Sequence, residues 1–488
     1  MLTLASIKRD HELMIELVPI VVILLFLLMT ALMYTRRISA LLALPVMAIL
    51  IAIAGGIPQN EILTDVITKG SLKLHAAYTT TIFGAVLAEL MNRYGIAKAL
   101  VRWVAEFSGD NPYVLGLVLT GVTALLFSTL GGLGAVIMVG SIVLPVMLSI
   151  GISSATAGGL FLFGISIGGM FNLANWQLYK DVLSVAQEEL IKFVVPFAFL
   201  IGMAVLIFLF VELKKARNLI YLIAGTLVSG GALYFLNQNF HPVAQVASPE
   251  QAAQLSLELA QSFNYVCILM AVLALYAIKR HFKGGLELPP IAMLTPIVPL
   301  ILVLSFKWEI IPAFLCAITF GVLATWRKDS INQLTRAIID GSQTVIPAIV
   351  LMIGIGMLIA SVSHPKVAGA IAPLVAQVIP TTPIMYVIGF TLMTPLALYR
   401  GPLSLWGMGS GLLKVIQNST QLGGQAIMGM LMSVGQVQGI CDPTNTHNIW
   451  IATYLGTDTH TLLKKTIPYA WGCAIAGLIL SCFFGFVK

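Results

Sequence analysis

The chain has 488 residues, 58% of them hydrophobic and 10% charged, with 27 lysines and arginines against 20 acids. A water-soluble domain carries far more charge on its surface, so this composition excludes an ordinary globular protein and places the chain in lipid. The five cysteines (Cys267, Cys316, Cys441, Cys473, Cys482) form an odd set in apolar sequence without metal or redox spacing. Neither a disulfide framework nor a metal is expected, and no cofactor or nucleic-acid partner is implied.

Residues 1–16 precede the first apolar segment, which runs over 17–34 and ends at Arg36 and Arg37 without a small-residue cleavage site. It therefore reads as a retained span and not a signal peptide. Further helices are predicted near 38–56, 74–92, 153–168 and 193–212, each long enough to cross a hydrocarbon core of roughly 30 Å. Residues 113–149 read as a re-entrant hairpin that enters and leaves on one face. Two linking helices, 219–236 and 263–278, flank a polar stretch at 237–262 that reads as a loop with room for a short amphipathic helix.

The remainder of the chain repeats the first part. A shift of 271 residues brings Ile67, Gly70, Ser71 and Pro112 onto Ile338, Gly341, Ser342 and Pro383. Further on, Gly158, Gly159 and Gly164 match Gly423, Gly424 and Gly429, and Asn175 falls near Asn448. The predicted organisation is a first repeat at 17–212, a linker at 213–287 and a second repeat at 288–488. The fold class is an all-α polytopic membrane protein: two inverted repeats of about five spans, each with a re-entrant hairpin, joined by two linking helices.

Basic residues collect on the cytoplasmic side, which orients the chain. With Arg36 and Arg37 inside, both termini fall outside, and 16 of the 27 basic residues lie inside against 10 outside. Inverted repeats with an odd number of spans are the mark of alternating-access carriers, whose substrate and coupling ion meet near the midplane at broken helices.

Two kinds of break occur once in each repeat. The first is a hairpin tip, containing Ser128, Thr129, Gly131 and Gly132 in one repeat and Arg400, Gly401 and Ser404 in the other. Glycines admit a close approach of backbone to ligand, and the arm that follows a tip offers a helix N-terminus to an anion. The second is a discontinuous helix, from Gly168 through Asn172 and Asn175, and from Gly435 through Asp442, Thr444, Asn445, His447 and Asn448. These amides and hydroxyls are candidate solute ligands. Asp442 is the candidate proton carrier, with His447 as a second ion-coupling residue.

Each feature also has a plainer reading. Glycines pack membrane helices together, Arg400 would serve as an interface anchor, and Asp442 would cap a helix. Glu89 lies four residues before Arg93, which points to a local ion pair.

The pattern resembles the ion transporter superfamily, in particular the gluconate permease and citrate transporter families. The likeness rests on the run Phe127 to Gly134, the tip at Arg400, Gly401, Pro402 and Leu403, and the late segment Thr446, His447, Asn448, Ile449, Trp450 to Tyr454, Leu455, Gly456. It implies a scaffold part and a mobile transport part, assembly as a homodimer, and carriage of a small organic anion across a cell inner membrane. Sodium-coupled dicarboxylate carriers of that superfamily place Ser, Asn and Thr at each tip, a triplet missing here, so symport with a proton is the simpler expectation and sodium the alternative. A cation/proton antiporter is the competing function, although it would want more acids at depth than Asp442 and Glu89. Enzymatic chemistry is not expected, because no paired catalytic acids or serine with a base occur on adjacent spans.

Overall fold

The computed structural model describes residues 18–29, 31–33, 35, 37–213, 218–239, 249–283, 287–400, 403, 405, 413, 414, 416, 417 and 419–487. All regular structure among them is helical. Lipid offers no partner to a peptide N–H or C=O, and a helix satisfies both within itself.

The first unit contains α1 (Ala40–Ala54), α2 (His75–Arg93), α3 (Ile96–Ser108), α4 (Pro112–Phe127), α5 (Gly132–Ser149), α6 (Ser154–Met170), α7 (Leu173–Leu183) and α8 (Gln187–Leu213). Two helices follow, α9 (Asn218–Asn239) and α10 (Pro249–Lys283). The second unit contains α11 (Ile310–Ala324), α12 (Ser330–Ser363), α13 (Pro365–Val378), α14 (Pro383–Met393), α15 (Gly424–Cys441), α16 (Thr446–Tyr454) and α17 (Thr459–Phe483). Helices α5, α8, α10, α12 and α17 are each long and apolar enough to cross a membrane. Helices α6 and α7 form one more span, bent by 51° at its break. The protein is a multi-pass integral membrane protein.

Helices α8 and α17 run against each other. Rising along α8 from Phe193 to Glu212 means descending α17. Phe193 meets Phe486 with ring centroids 6.2 Å apart, Phe208 meets Tyr469 at 5.1 Å, and Glu212 pairs with Lys465 at 2.5 Å. The same reciprocity joins the α2 region to α12. Gly70 lies against Gly356 and Met357, and Gly341 lies against Ala85 and Val86. The shift of 271 that carries Gly70 to Gly341 also carries Ala85 and Val86 to Gly356 and Met357. Each contact thus has its mirror in the other direction, the property of a two-fold interface.

Several sequence expectations need correction. Of the polar stretch read as a loop at 237–262, residues 237–239 end α9 and residues 249–262 begin α10, a single helix of 35 residues, because the polar residues there are good helix formers, while 240–248 lie outside the described residues. Between the second and third spans, which the sequence reading left unassigned, lies an eight-residue π-helix over Ile62–Lys69. The glycine runs were matched out of register. Gly159 packs on Phe208 and Thr466, whereas Gly429 packs on Ser481 and Phe193, so Gly159 and Gly429 are the equivalent positions. Glycine-rich strings match one another at several offsets, and only packing selects one.

Glu89 and Arg93 do pair, at 2.9 Å, through an approach off the N–H axis. Arg93 also reaches Asp340 and Gln333 of α12 and ties the two units together at one end. A related tie forms where α12 ends: His364 Nε2 lies 2.9 Å from Glu61.

The closest backbone approach between the units yields a stability prediction. A Cβ at Gly356 would lie 2.3 Å from the Gly70 carbonyl oxygen, so the backbones must separate. Gly356→Ala should destabilise the detergent-solubilised protein by about 1–3 kcal/mol, the usual cost of overpacking. Gly472→Ala, at a position with nothing within 4 Å, should melt at or above the wild-type temperature. Equal melting of the two variants would remove the contact from the account.

Candidate functional site

The two helix breaks, far apart in sequence, face one cavity of about 670 Å³. Its lining contains four pairs related by an offset of 270: Ile165 with Gly435, Ser166 with Gln436, Gly169 with Gly439, and Asn175 with Asn445. The Ser166 hydroxyl donates to Oε1 of Gln436 at 2.6 Å. Residues at equivalent positions of α6 and α15 thus touch each other at the cavity. Tyr179, Ser39, Gln438, Thr446 and His447 supply further polar lining, while Pro347, Leu351, Leu403 and Leu405 supply apolar wall.

Each break forms where one helix stops and a second starts after two to four non-helical residues. Helix α6 ends at Met170, and Asn172, in extended backbone, starts α7 by accepting from the N–H groups of Ala174 and Asn175. That arrangement is an asparagine N-cap. The carbonyls at the end of α6 then need donors. Asn175 Nδ2 donates to Gly169 O at 2.9 Å, and Trp176 Nε1 donates to Met170 O at 2.6 Å. In the second unit, Asn445 Nδ2 donates to Gln438 O at 2.8 Å, and Asn448 Nδ2 donates to Ile440 O at 3.1 Å. His447 Nε2 lies 3.1 Å from Gly439 O. The amide and ring N–H groups of this run are thus largely engaged with backbone that the break would otherwise strand in a low-dielectric interior.

The breaks are shorter than the sequence indicates, since Gly168 and the run Gly435 to Gly439 remain helical. Gly168 holds its helix close to α4, where a Cβ would meet Ala124 O and Phe127 Cβ, both at 2.6 Å. The role of that glycine is packing.

The candidate residues divide accordingly. Asn175, Asn445 and His447 line the cavity. Asp442, Thr444 and Asn172 lie in the breaks and Asn448 in the first turn of α16, all outside its lining. Asp442 is fully buried, and its Oδ1 accepts from the backbone N–H of Thr444 at 2.8 Å and from the Thr444 hydroxyl at 2.6 Å. Asn448 is 2% exposed, and its Oδ1 has no partner among the described residues.

At the first tip, Ser128 and Thr129 are buried, with hydroxyls returned to Leu125 O and Leu126 O. Gly131 and Gly132 are exposed, and neither lines the cavity. The tip is nevertheless tied to the break, because Asn172 Nδ2 donates to both Phe127 O and Leu130 O at 3.1 Å. Gly401 and Ser404 lie outside the described residues. Arg400 closes a 3-10 turn over Thr394–Arg400, and its side chain is likewise outside the described part. Leu403 and Leu405 bring this second tip to the cavity wall.

Ser166, Gln436, Gln438 and Tyr179 escaped the sequence reading. A signal for two of them exists: at an offset of 270, Ser166 and Gln436 are both polar within apolar, glycine-rich helices.

The two breaks differ electrostatically. Asn172 caps α7, whereas no side chain caps α16 at Asn445. The first turn of α16 carries its partial positive charge at the cavity, since Asn445, Thr446 and His447 all line it.

No protein-family model matches the sequence, and no curated protein matches it. Among solved structures, the chain is similar to the YdaH transporter of Alcanivorax borkumensis, with 14% identity, a TM-score of 0.47 and 88% of each chain covered. It is also similar to MtrF of Neisseria gonorrhoeae, described within a class of antimetabolite efflux pumps, with 15% identity, a TM-score of 0.46, and 87% of this chain and 84% of that chain covered.

The double role of Asn172 can be separated by substitution. Asn172→Asp keeps the cap acceptor and removes both donors to the tip, whereas Asn172→Ala removes everything and should cost a further ~1 kcal/mol through the lost cap. With Leu130→Cys as reporter, thiol labelling should accelerate in both variants, while the melting temperature should fall further in Asn172→Ala. Unchanged labelling in Asn172→Asp would show that the tip is held by other contacts.

Proposed function

We propose that the protein is a secondary active transporter working by alternating access, and that the cavity at the two helix breaks is its solute site. The observation that carries this reading is the meeting of two helix breaks, far apart in sequence, at one cavity lined by the hydrogen-bonded pair Ser166 and Gln436. Broken helices are tolerated at membrane depth where they line such a cavity, and antiparallel repeats give two conformations related by exchange of the units' roles.

The solute proposed is a small organic anion, such as a carboxylate or sugar acid, the class implied by the resemblance to gluconate permeases and citrate transporters. Hydroxyls and amides around the cavity suit a polyhydroxy solute. The uncapped start of α16 suits its negative group. Arg400 at the second tip is the proposed charged partner, since a guanidinium holds a carboxylate through two charge-assisted hydrogen bonds. Asp442 is the proposed proton site. Its carboxyl group sits in the turn that starts α16, so proton uptake would remove a negative charge close to an arriving anion. The protein is assigned to a cell inner membrane, as a homodimer with both termini outside, on the grounds of the basic-residue distribution and the resemblance.

Uptake by the purified, reconstituted protein provides the test. Labelled gluconate and citrate should accumulate under an imposed inward proton gradient and not under a sodium gradient alone. Proton-driven exchange of sodium without any anion uptake would replace this reading by the antiporter.

Two substitutions assign the roles. Asp442→Asn preserves the Oδ1 acceptor for Thr444 and should retain solute exchange between equal pools while losing accumulation against a gradient. Arg400→Lys should lower uptake at least tenfold with normal membrane expression, and near-normal uptake would return Arg400 to an interface anchor.

A further inference from the structure

The crevice between α3 and α5 takes no part in the transport site, yet it is chemically distinctive. Helix α3 buries Ile96, Ala97, Leu100 and Val101, and exposes Lys98, Arg102, Trp103 and Phe107. Trp103 and Phe107 are 50% and 75% exposed, with ring centroids 4.8 Å apart. A helix with an apolar buried face, basic residues and exposed aromatics has the composition of one that lies in a membrane interface.

Lys98 and Arg102, one helical turn apart, both line a cavity of about 540 Å³ whose opposite wall is Met138, Ile142 and Val146 of α5, with Ser141 between them. Neither cation is in an ion pair among the described residues, and no acid lines the cavity. Glu106, one turn further along α3, is exposed and outside it. One wall of the crevice is therefore cationic. The other wall continues along α5, whose Leu133, Ile137 and Leu148 are exposed apolar side chains.

We propose that this crevice binds one anionic glycerophospholipid. Its phosphate sits between Lys98 and Arg102, and its acyl chains lie along Met138, Ile142 and Val146. The assignment rests on the proposed topology, which puts residues 94–111 at the cytoplasmic leaflet, where anionic lipids concentrate. Two cations one turn apart can hold one phosphate from two sides, the arginine through paired N–H groups.

Native mass spectrometry of the detergent-purified protein, titrated with dioleoyl phosphatidylglycerol or dioleoyl phosphatidylcholine, tests the proposal. The wild type should bind phosphatidylglycerol at least tenfold more tightly than phosphatidylcholine. Lys98→Gln with Arg102→Gln should abolish that preference at an unchanged melting temperature, and Lys192→Gln with Lys366→Gln should keep it. Equal binding of both lipids by the wild type, or an intact preference in the double variant at 98 and 102, would overturn the site. Competition by inorganic phosphate at the same concentration as the lipid would overturn the acyl part of the assignment. The topology fails by a different measurement, namely thiol labelling of the Lys98→Cys variant from outside intact cells.

Discussion

Lipid cannot hydrogen-bond a peptide group, and most of what is particular to this protein follows from that constraint. Each unsatisfied N–H or C=O in hydrocarbon costs several kcal/mol, so a helix that stops inside the membrane must have its end repaired by the protein itself. Here the repair is done by side chains that follow each stop. Asn175 and Trp176 serve the carbonyls ending α6, and Asn445, His447 and Asn448 serve those ending α15. The polar runs that stand out in an apolar sequence are first of all the means by which two breaks can exist at all.

Once the breaks exist, packing decides where they go. The two units pack through reciprocal close contacts of Gly70 with Gly356 and of Gly341 with Ala85, and both breaks come to one cavity. The duplication is not perfect there. One side of the cavity carries the Ser166 hydroxyl and a capped α7; the other carries the Gln436 amide and an uncapped α16. A perfectly symmetric site would present the same face to a solute in both orientations. These differences supply polarity of charge, with the positive helix end and the buried acid Asp442 both in the second unit.

Much of this is legible in the sequence, and the rest is illegible for physical reasons. Apolar runs at 38–56, 153–168 and 193–212 mark helices because length and hydropathy alone determine insertion. Asn172 marks a break, since asparagine is a poor helix former and a good N-cap. The register of the second half is not legible from glycines, because close packing asks only for small size and several offsets supply it. The purpose of the amides is equally hidden. An asparagine that donates to a solute and one that donates to a carbonyl six residues back look alike in sequence, as Asn175 does. Ser166 and Gln436 are isolated polar residues whose meaning appears only when packing brings them within 2.6 Å.

On the proposed reading, coupling of proton and anion needs no long-range pathway. The carboxyl of Asp442 accepts from the N–H of Thr444, two residues before α16 begins, while Thr446 at the start of that helix lines the cavity. The carboxyl and the helix start therefore share one turn of chain. When ionised, the carboxylate opposes the partial positive charge of the helix end; when protonated, it leaves that end to the solute. The same group remains a hydrogen-bond acceptor for Thr444 in both states, so the turn keeps its shape as its charge changes. A charge switch that leaves the local fold intact can bias solute binding without disturbing the interface across which the two units exchange roles.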